Sequence, residues 1–122
     1  MNSLPSKLPK AVPGRGSQLV STAEITLFQT QAAASPFVVY GYIDLSAMAS
    51  SDVFTFKIYI TMDMFNYRQL DSLTFSNAQT NTMLKIAQSS GTVGNAIKVT
   101  GIRTGGSDRT FPWNYTLVYG AA

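Results

Sequence analysis

In the segment from Val53 to Met62 the residues after Val53 alternate without a break. Phe54, Phe56, Ile58, Ile60 and Met62 fall on one side, and Thr55, Lys57, Tyr59 and Thr61 on the other. Successive side chains of an extended strand point to opposite faces, so a period of two buries one face and wets the other. A helix would scatter the same five apolar side chains around its circumference. The chain therefore contains a long half-buried strand, and it needs a second apolar layer to cover it.

Further strands supply that layer. Glu24 to Gln29 alternates, with Ile25 and Leu27 on one face. Phe37 to Leu45 is aromatic and β-branched, as half-buried strands prefer. Asp63 to Asn66 forms a turn, from which Tyr67 to Phe75 returns, and Thr82 to Gln88 adds a short strand. Ala96 to Arg103 runs into Gly105-Gly106-Ser107-Asp108, and Arg109 to Tyr119 comes back, which is the pattern of a hairpin. The last segment puts Phe111, Trp113, Tyr115, Leu117 and Tyr119 on one face. Pro112 cannot donate to a ladder, so this strand is expected at an edge or bulged. Seven or eight short strands with Ser-, Asn- and Gly-rich turns, and no amphipathic helix, predict an all-β fold. It is a single antiparallel β-sandwich or jelly-roll-like domain. At 122 residues it can bury a core without metal or disulfide.

The first twenty residues differ in kind. Pro5, Pro9 and Pro13 lie within them, with Gly14 and Gly16 just after, which excludes a helix. They hold Lys7, Lys10 and Arg15 and no acid. Residues 21–122 hold six basic and six acidic side chains. The formal charge of +3 thus belongs to the N-terminal segment and the remainder is neutral. The predicted division is an extended arm over 1–20 and a sandwich over 21–122. The arm's Lys7, Lys10, Arg15, Pro5, Pro9 and Pro13 are its candidate partner-binding residues. No apolar signal-peptide stretch and no run of about 18 apolar residues is present, so a soluble protein is expected.

The chemistry on offer is sparse. There is no His and no Cys, which removes the commonest metal ligand, the neutral-pH base and the thiol nucleophile. The carboxylates Glu24, Asp44, Asp52, Asp63, Asp71 and Asp108 are scattered. Asp44-Leu45-Ser46 with Asp52 falls short of the six to eight oxygens of a calcium site. Asp44 is instead expected to close a strand, Ser46 to cap a turn and Asp52 to open the next strand. Gly101 to Gly106 opens no helix that would hold a phosphate, and the glycosylation sequon at Asn114 lies within a strand. No enzyme, cofactor or metal is predicted. Tyr40, Tyr42, Tyr59 and Tyr119 are the candidate surface aromatics, and tyrosine is what protein interfaces enrich. A neutral body argues against nucleic acid.

Two stretches carry a resemblance. The first is Tyr42-Ile43-Asp44-Leu45-Ser46-Ala47-Met48, with Asp52 and the alternating strand through Ile60. The second is Ile97-Lys98-Val99-Thr100 through Arg109-Thr110-Phe111-Pro112-Trp113. Together they resemble small β-sandwich virion proteins encoded among the structural genes of tailed bacterial and archaeal viruses. The resemblance covers roughly residues 23–119 and leaves out the arm. Ala47 and Ser50-Ser51 stand where that pattern has a polar residue and a Gly-containing turn. It implies a capsid decoration or cement protein that assembles in the host cytoplasm and sits on the capsid surface. Its partners would be the major capsid protein or other virion subunits, and copies of itself, by analogy as a trimer. The alternatives are a tail or neck protein and a carbohydrate-binding module for host attachment. The last would need exposed aromatics beside paired polar groups.

Overall fold

A computed structural model describes residues 10–30, 36–61, 65–90 and 95–119. Eight strands run in the order β1 (Lys10–Val20), β2 (Ile25–Gln29), β3 (Phe37–Asp44), β4 (Val53–Thr61), β5 (Tyr67–Ser76), β6 (Met83–Ser89), β7 (Ile97–Gly105) and β8 (Arg109–Tyr119). They form two antiparallel four-stranded sheets, β1-β8-β3-β6 and β2-β7-β4-β5. Strand pairs β1 with β8, β2 with β7, β3 with β6 and β4 with β5 are nested inside one another. This is the pairing of one long hairpin, with β4 and β5 innermost, folded over into two sheets, a β-sandwich.

The inner faces meet in an aromatic core. Phe54, Phe56 and Ile58 of β4 are buried, and Ile60 packs against them, as the alternation predicts. From the other sheet comes Phe111, edge-on to Phe54 at 4.8 Å and to Phe56 at 5.4 Å between ring centres. Trp113, Tyr115, Leu117 and Tyr119 follow it inward along β8. Edge-to-face rings set each positive rim against a negative face.

Four expectations need correction. β2 does not simply alternate: the register with β7 shifts between Thr26 and Phe28, so Leu27 and Phe28 are both buried while Ile25 is exposed. A bulge inserts a residue and turns two neighbours to the same side. β7 and β8 are no hairpin, because residues 106–108 carry the chain from one sheet to the other. β8 is no edge strand either, since it lies between β1 and β3. Pro112 is tolerated because the ladder with β3 ends at the Ile43–Trp113 pair, leaving one neighbour at that position. Finally, Ser46 caps no turn; its backbone N–H donates to Asp44 Oδ1, and Met48 N–H donates to the Leu45 carbonyl.

The segment expected as an arm divides in two. Residues 1–9, with Pro5, Lys7 and Pro9, lie outside the described residues. Lys10–Val20 pairs with β8 in unbroken register from Lys10–Tyr119 to Val20–Arg109. Its glycines are there for close approach. A Cβ at Gly16 would stand 2.7 Å from the Trp113 ring, and one at Gly14 would overlap the ring of Tyr115. Those two rings and Phe28, which lies 5.4 and 5.0 Å from them, pack under β1.

Candidate interaction face

The strand registers lay out the outer side of the β1-β8-β3-β6 sheet row by row. The first row is Ala11, Val118, Val38 and Ser89, and the second is Pro13, Thr116, Tyr40 and Ala87. Neither row contains a charge. Ala11, Pro13, Tyr40, Ala87 and Ser89 are exposed, and Val38, Thr116 and Val118 are half-buried. Tyr40 stands 47% exposed at the centre of this small-residue surround. Both rows lie at the end of the sheet where β1 begins.

The third row is Arg15, Asn114, Tyr42 and Lys85, and beyond it lie Ser17 with Pro112 and Asp44 with Met83. Here the face sinks into an open depression of about 470 Å³. Arg15, Ser17, Tyr42, Asp44, Met83 and Asn114 line it, among others. Hydrogen bonding from Ser46 holds the Asp44 carboxyl below its ordinary value, so it is a carboxylate at neutral pH.

The remaining tyrosines sit elsewhere. Tyr119 turns inward against Phe37 at 5.7 Å and is half-buried. Tyr59 lies on the outer side of the other sheet, half-buried in a polar network. Its hydroxyl donates to Glu24 Oε2 at 2.5 Å, Thr100 donates to the same oxygen at 2.6 Å, and Lys57 approaches Glu24 Oε1 at 3.8 Å. The Thr100 and Tyr59 hydroxyls hold the Glu24 carboxyl below its ordinary value. Burial, then the bond to Glu24, pushes the Tyr59 phenol up. Lys98 lies over the rings of Tyr59 and Tyr67 at 5.0 and 4.4 Å. The four tyrosines thus split: Tyr40 and Tyr42 share one face, Tyr59 is on the other sheet, and Tyr119 lines the core.

Sequence reasoning missed the group that ties the loops together. Asp52 is 1% exposed. Its carboxylate accepts from Ala49 N–H at 2.8 Å, Ser107 N–H at 3.1 Å and Arg109 Nε at 2.7 Å. Its backbone carbonyl accepts from Asn77 N–H at 2.7 Å, and Asn77 Oδ1 accepts from Ser51 N–H at 2.9 Å. The loops after β3 and β7 converge on its side chain, and the loop after β5 joins them at its backbone carbonyl. The Arg109 hydrogen bond outweighs burial and holds the carboxyl down at about 2. No local signal marks a pair 57 positions apart. Phe65, 83% exposed between β4 and β5, also went unpredicted.

The fold has known counterparts. No family model and no curated protein matches the sequence. Among solved structures, the chain is similar to a subunit in "Bacillus endospore appendages form a novel family of disulfide-linked pili", with TM-score 0.56 at 9% identity. The match covers 100% of this chain and 98% of that one. It is also similar to a chain of infectious bursal disease virus strain Gx, with TM-score 0.55 at 10% identity over 92% of this chain. A third match is VP2 of the infectious bursal disease virus subviral particle, with TM-score 0.50 at 12% identity. This chain spans about a third of the length of the two viral chains, 32% and 33%. At such identities the likeness is one of fold: an all-β sandwich of the kind found in a viral shell and in an appendage subunit.

Proposed function

We propose that the chain is a non-enzymatic structural subunit that binds other protein subunits, and that it decorates and stabilises a virus capsid. The observation that carries this reading is the charge-free half-face around Tyr40. A partner laid on Ala11, Pro13, Val38, Tyr40, Ala87, Thr116 and Val118 desolvates no ion. It gains the aromatic anchor that tends to dominate interface energies. β1 begins at Lys10, beside the same rows. Of the six candidate arm residues, Pro13 lies in the second row and Arg15 in the third, Lys10 opens β1, and Pro5, Lys7 and Pro9 lie outside the described residues. The fold's likeness to chains of a viral shell and a pilus supports assembly as the general role; the resemblance noted in the sequence supports the virion. Self-association as a trimer rests on the same analogy.

The test is retention on particles of the encoding virus, measured by pelleting. Tyr40→Glu should leave the melting temperature within a degree or two and cut retention by more than about tenfold, as loss of a central anchor does. Unchanged retention would sink the assignment of this face.

A further inference from the structure

The depression at the far end of the same face has a chemistry of its own. It is concave, and its volume of about 470 Å³ is in the range of small-ligand sites. Tyr42, 41% exposed, offers a ring beside it. Around that ring stand the Arg15 guanidinium, the Asn114 amide and the Asp44 carboxylate. The side chains of Arg15, Tyr42 and Asn114 make no hydrogen bond or ion pair with any other described residue. Among the described residues Asp44 is hydrogen-bonded by Ser46, through its side chain and through its backbone N–H, which donates to Oδ1. These are donors and acceptors of both kinds, held on rigid strands and left for a ligand to satisfy. Met83 and Pro112 give the rim apolar contact.

We infer that this depression is a saccharide-binding site with a preference for acidic sugars. An aromatic ring takes the apolar face of a pyranose by stacking contact, which leaves the ring hydroxyls at its edge for polar groups. Asn114 can donate to one hydroxyl and accept from another, and Asp44 accepts from a neighbouring pair. The preference for acid follows from charge. Arg15 lines the site with Asp44, and Lys85, the exposed cross-strand partner of Tyr42, adds a second cation to the same row of the face. A sugar carboxylate would receive the paired N–H groups of the Arg15 guanidinium. A protein partner fits less well here than around Tyr40, because it would have to desolvate Arg15, Asp44 and Lys85 together. The site begins one row beyond Tyr40, on the side away from Lys10, and its polar lining sets it apart from the subunit contact proposed above.

Trp113 is the chain's single tryptophan and is among the residues around the depression, which supplies an optical probe. The full chain would be titrated with trigalacturonate, with neutral maltotriose, and with citrate as a non-sugar polyanion. Emission and heat would both be followed up to about 10 mM. A saturable response to trigalacturonate, weaker for maltotriose and absent for citrate, is expected. Tyr42→Ala should weaken trigalacturonate binding by about tenfold or more, the scale of a lost aromatic stack, and Tyr42→Phe should retain it. Arg15→Gln should bring the acidic and neutral sugars to equal affinity. The idea is overturned by any of three results: no saturable response to trigalacturonate, citrate binding as tightly, or full binding by Tyr42→Ala with an unchanged melting temperature. Binding tests on the unaltered chain and on Asn114→Ala decide the matter even if Tyr42→Ala unfolds. None of these readouts involves particles, so their failure leaves the capsid reading untouched.

Discussion

Asp52 shows how one side chain can close one end of a sandwich. A buried carboxylate without partners would cost several kcal/mol. Here Arg109 supplies the opposite charge, and two backbone N–H groups complete the shell. Gly106 makes room: it sits at φ +80°, and a Cβ there would lie inside contact distance of the carboxylate. Asp52→Asn keeps the shape but removes the charge, and should cost about 2–4 kcal/mol in denaturant melts. The pH dependence has a definite sign. The folded carboxyl is at about 2, below its ordinary value of 3.8, so its stabilisation is full above pH 4 and is lost as pH falls through 2. Asp52→Asn should therefore show a shallower loss of stability between pH 4 and 2 than the unaltered chain, and an equal slope between pH 5 and 7. A second residue-scale test concerns Gly16. On a free arm, Gly16→Ala would be silent. Against the Trp113 ring it should cost about 1–3 kcal/mol, the usual range for overpacking.

At the scale of elements, β1 and β4 behave differently from one another. β4 reads correctly from its own residues, because period-2 alternation is a local property that only a sheet can use. Phe56 is fully buried between Phe111 and Phe75, and Phe56→Ala should cost about 3–5 kcal/mol. β1 reads as an arm because prolines and glycines weaken strand propensity. It is a strand because β8 offers it an edge and because Trp113 and Tyr115 fill the space its glycines leave. The consequence is testable by truncation. Removing residues 2–9 should leave the melting temperature unchanged while lowering particle retention. Removing residues 2–18 strips most of β1, and should uncover Trp113 and shift its emission to the red. Equal stability of the two truncated chains would show that β1 contributes nothing to the fold.

For the whole molecule, the two sheets present unlike exteriors. One carries the charge-free rows around Tyr40 and the polar depression around Tyr42. The other carries the Glu24, Tyr59, Thr100 and Lys57 network, whose hydrogen bonds are already satisfied internally. A subunit that attaches through the first face should hold to its particle with little dependence on salt. Exposed ion pairs are each worth about 0–1 kcal/mol and are screened over about 8–10 Å near physiological ionic strength. Pelleting from about 0.05 to 1 M salt should therefore retain most of the protein. Release by the middle of that range would mean that Lys7, Lys10 and Arg15 dominate by charge, and would favour an anionic partner for the N-terminal segment.

The sequence by itself determined the all-β class, the inward face of β4 and β8, and the poverty of catalytic side chains. Each of these is written in neighbouring residues or in composition, so no long-range information is required. Tyr40 and Tyr42 were legible as candidates for the same reason, since they alternate with the buried Val39 and Ile43. Only the tertiary structure decided the rest. Whether β8 meets β7 in a hairpin or crosses to β1 and β3 depends on which sheet can cover its aromatic face, and that is a property of the folded pair of layers. Leu27 and Phe28 turn inward together because β7 imposes a bulge. Asp52 meets Arg109, and Arg15 meets Tyr42 and Asp44 around one depression, because strands far apart in the chain are set side by side by backbone ladders about 5 Å apart. Side-chain periodicity reports the face a residue occupies; the neighbour it finds there is chosen by strand order.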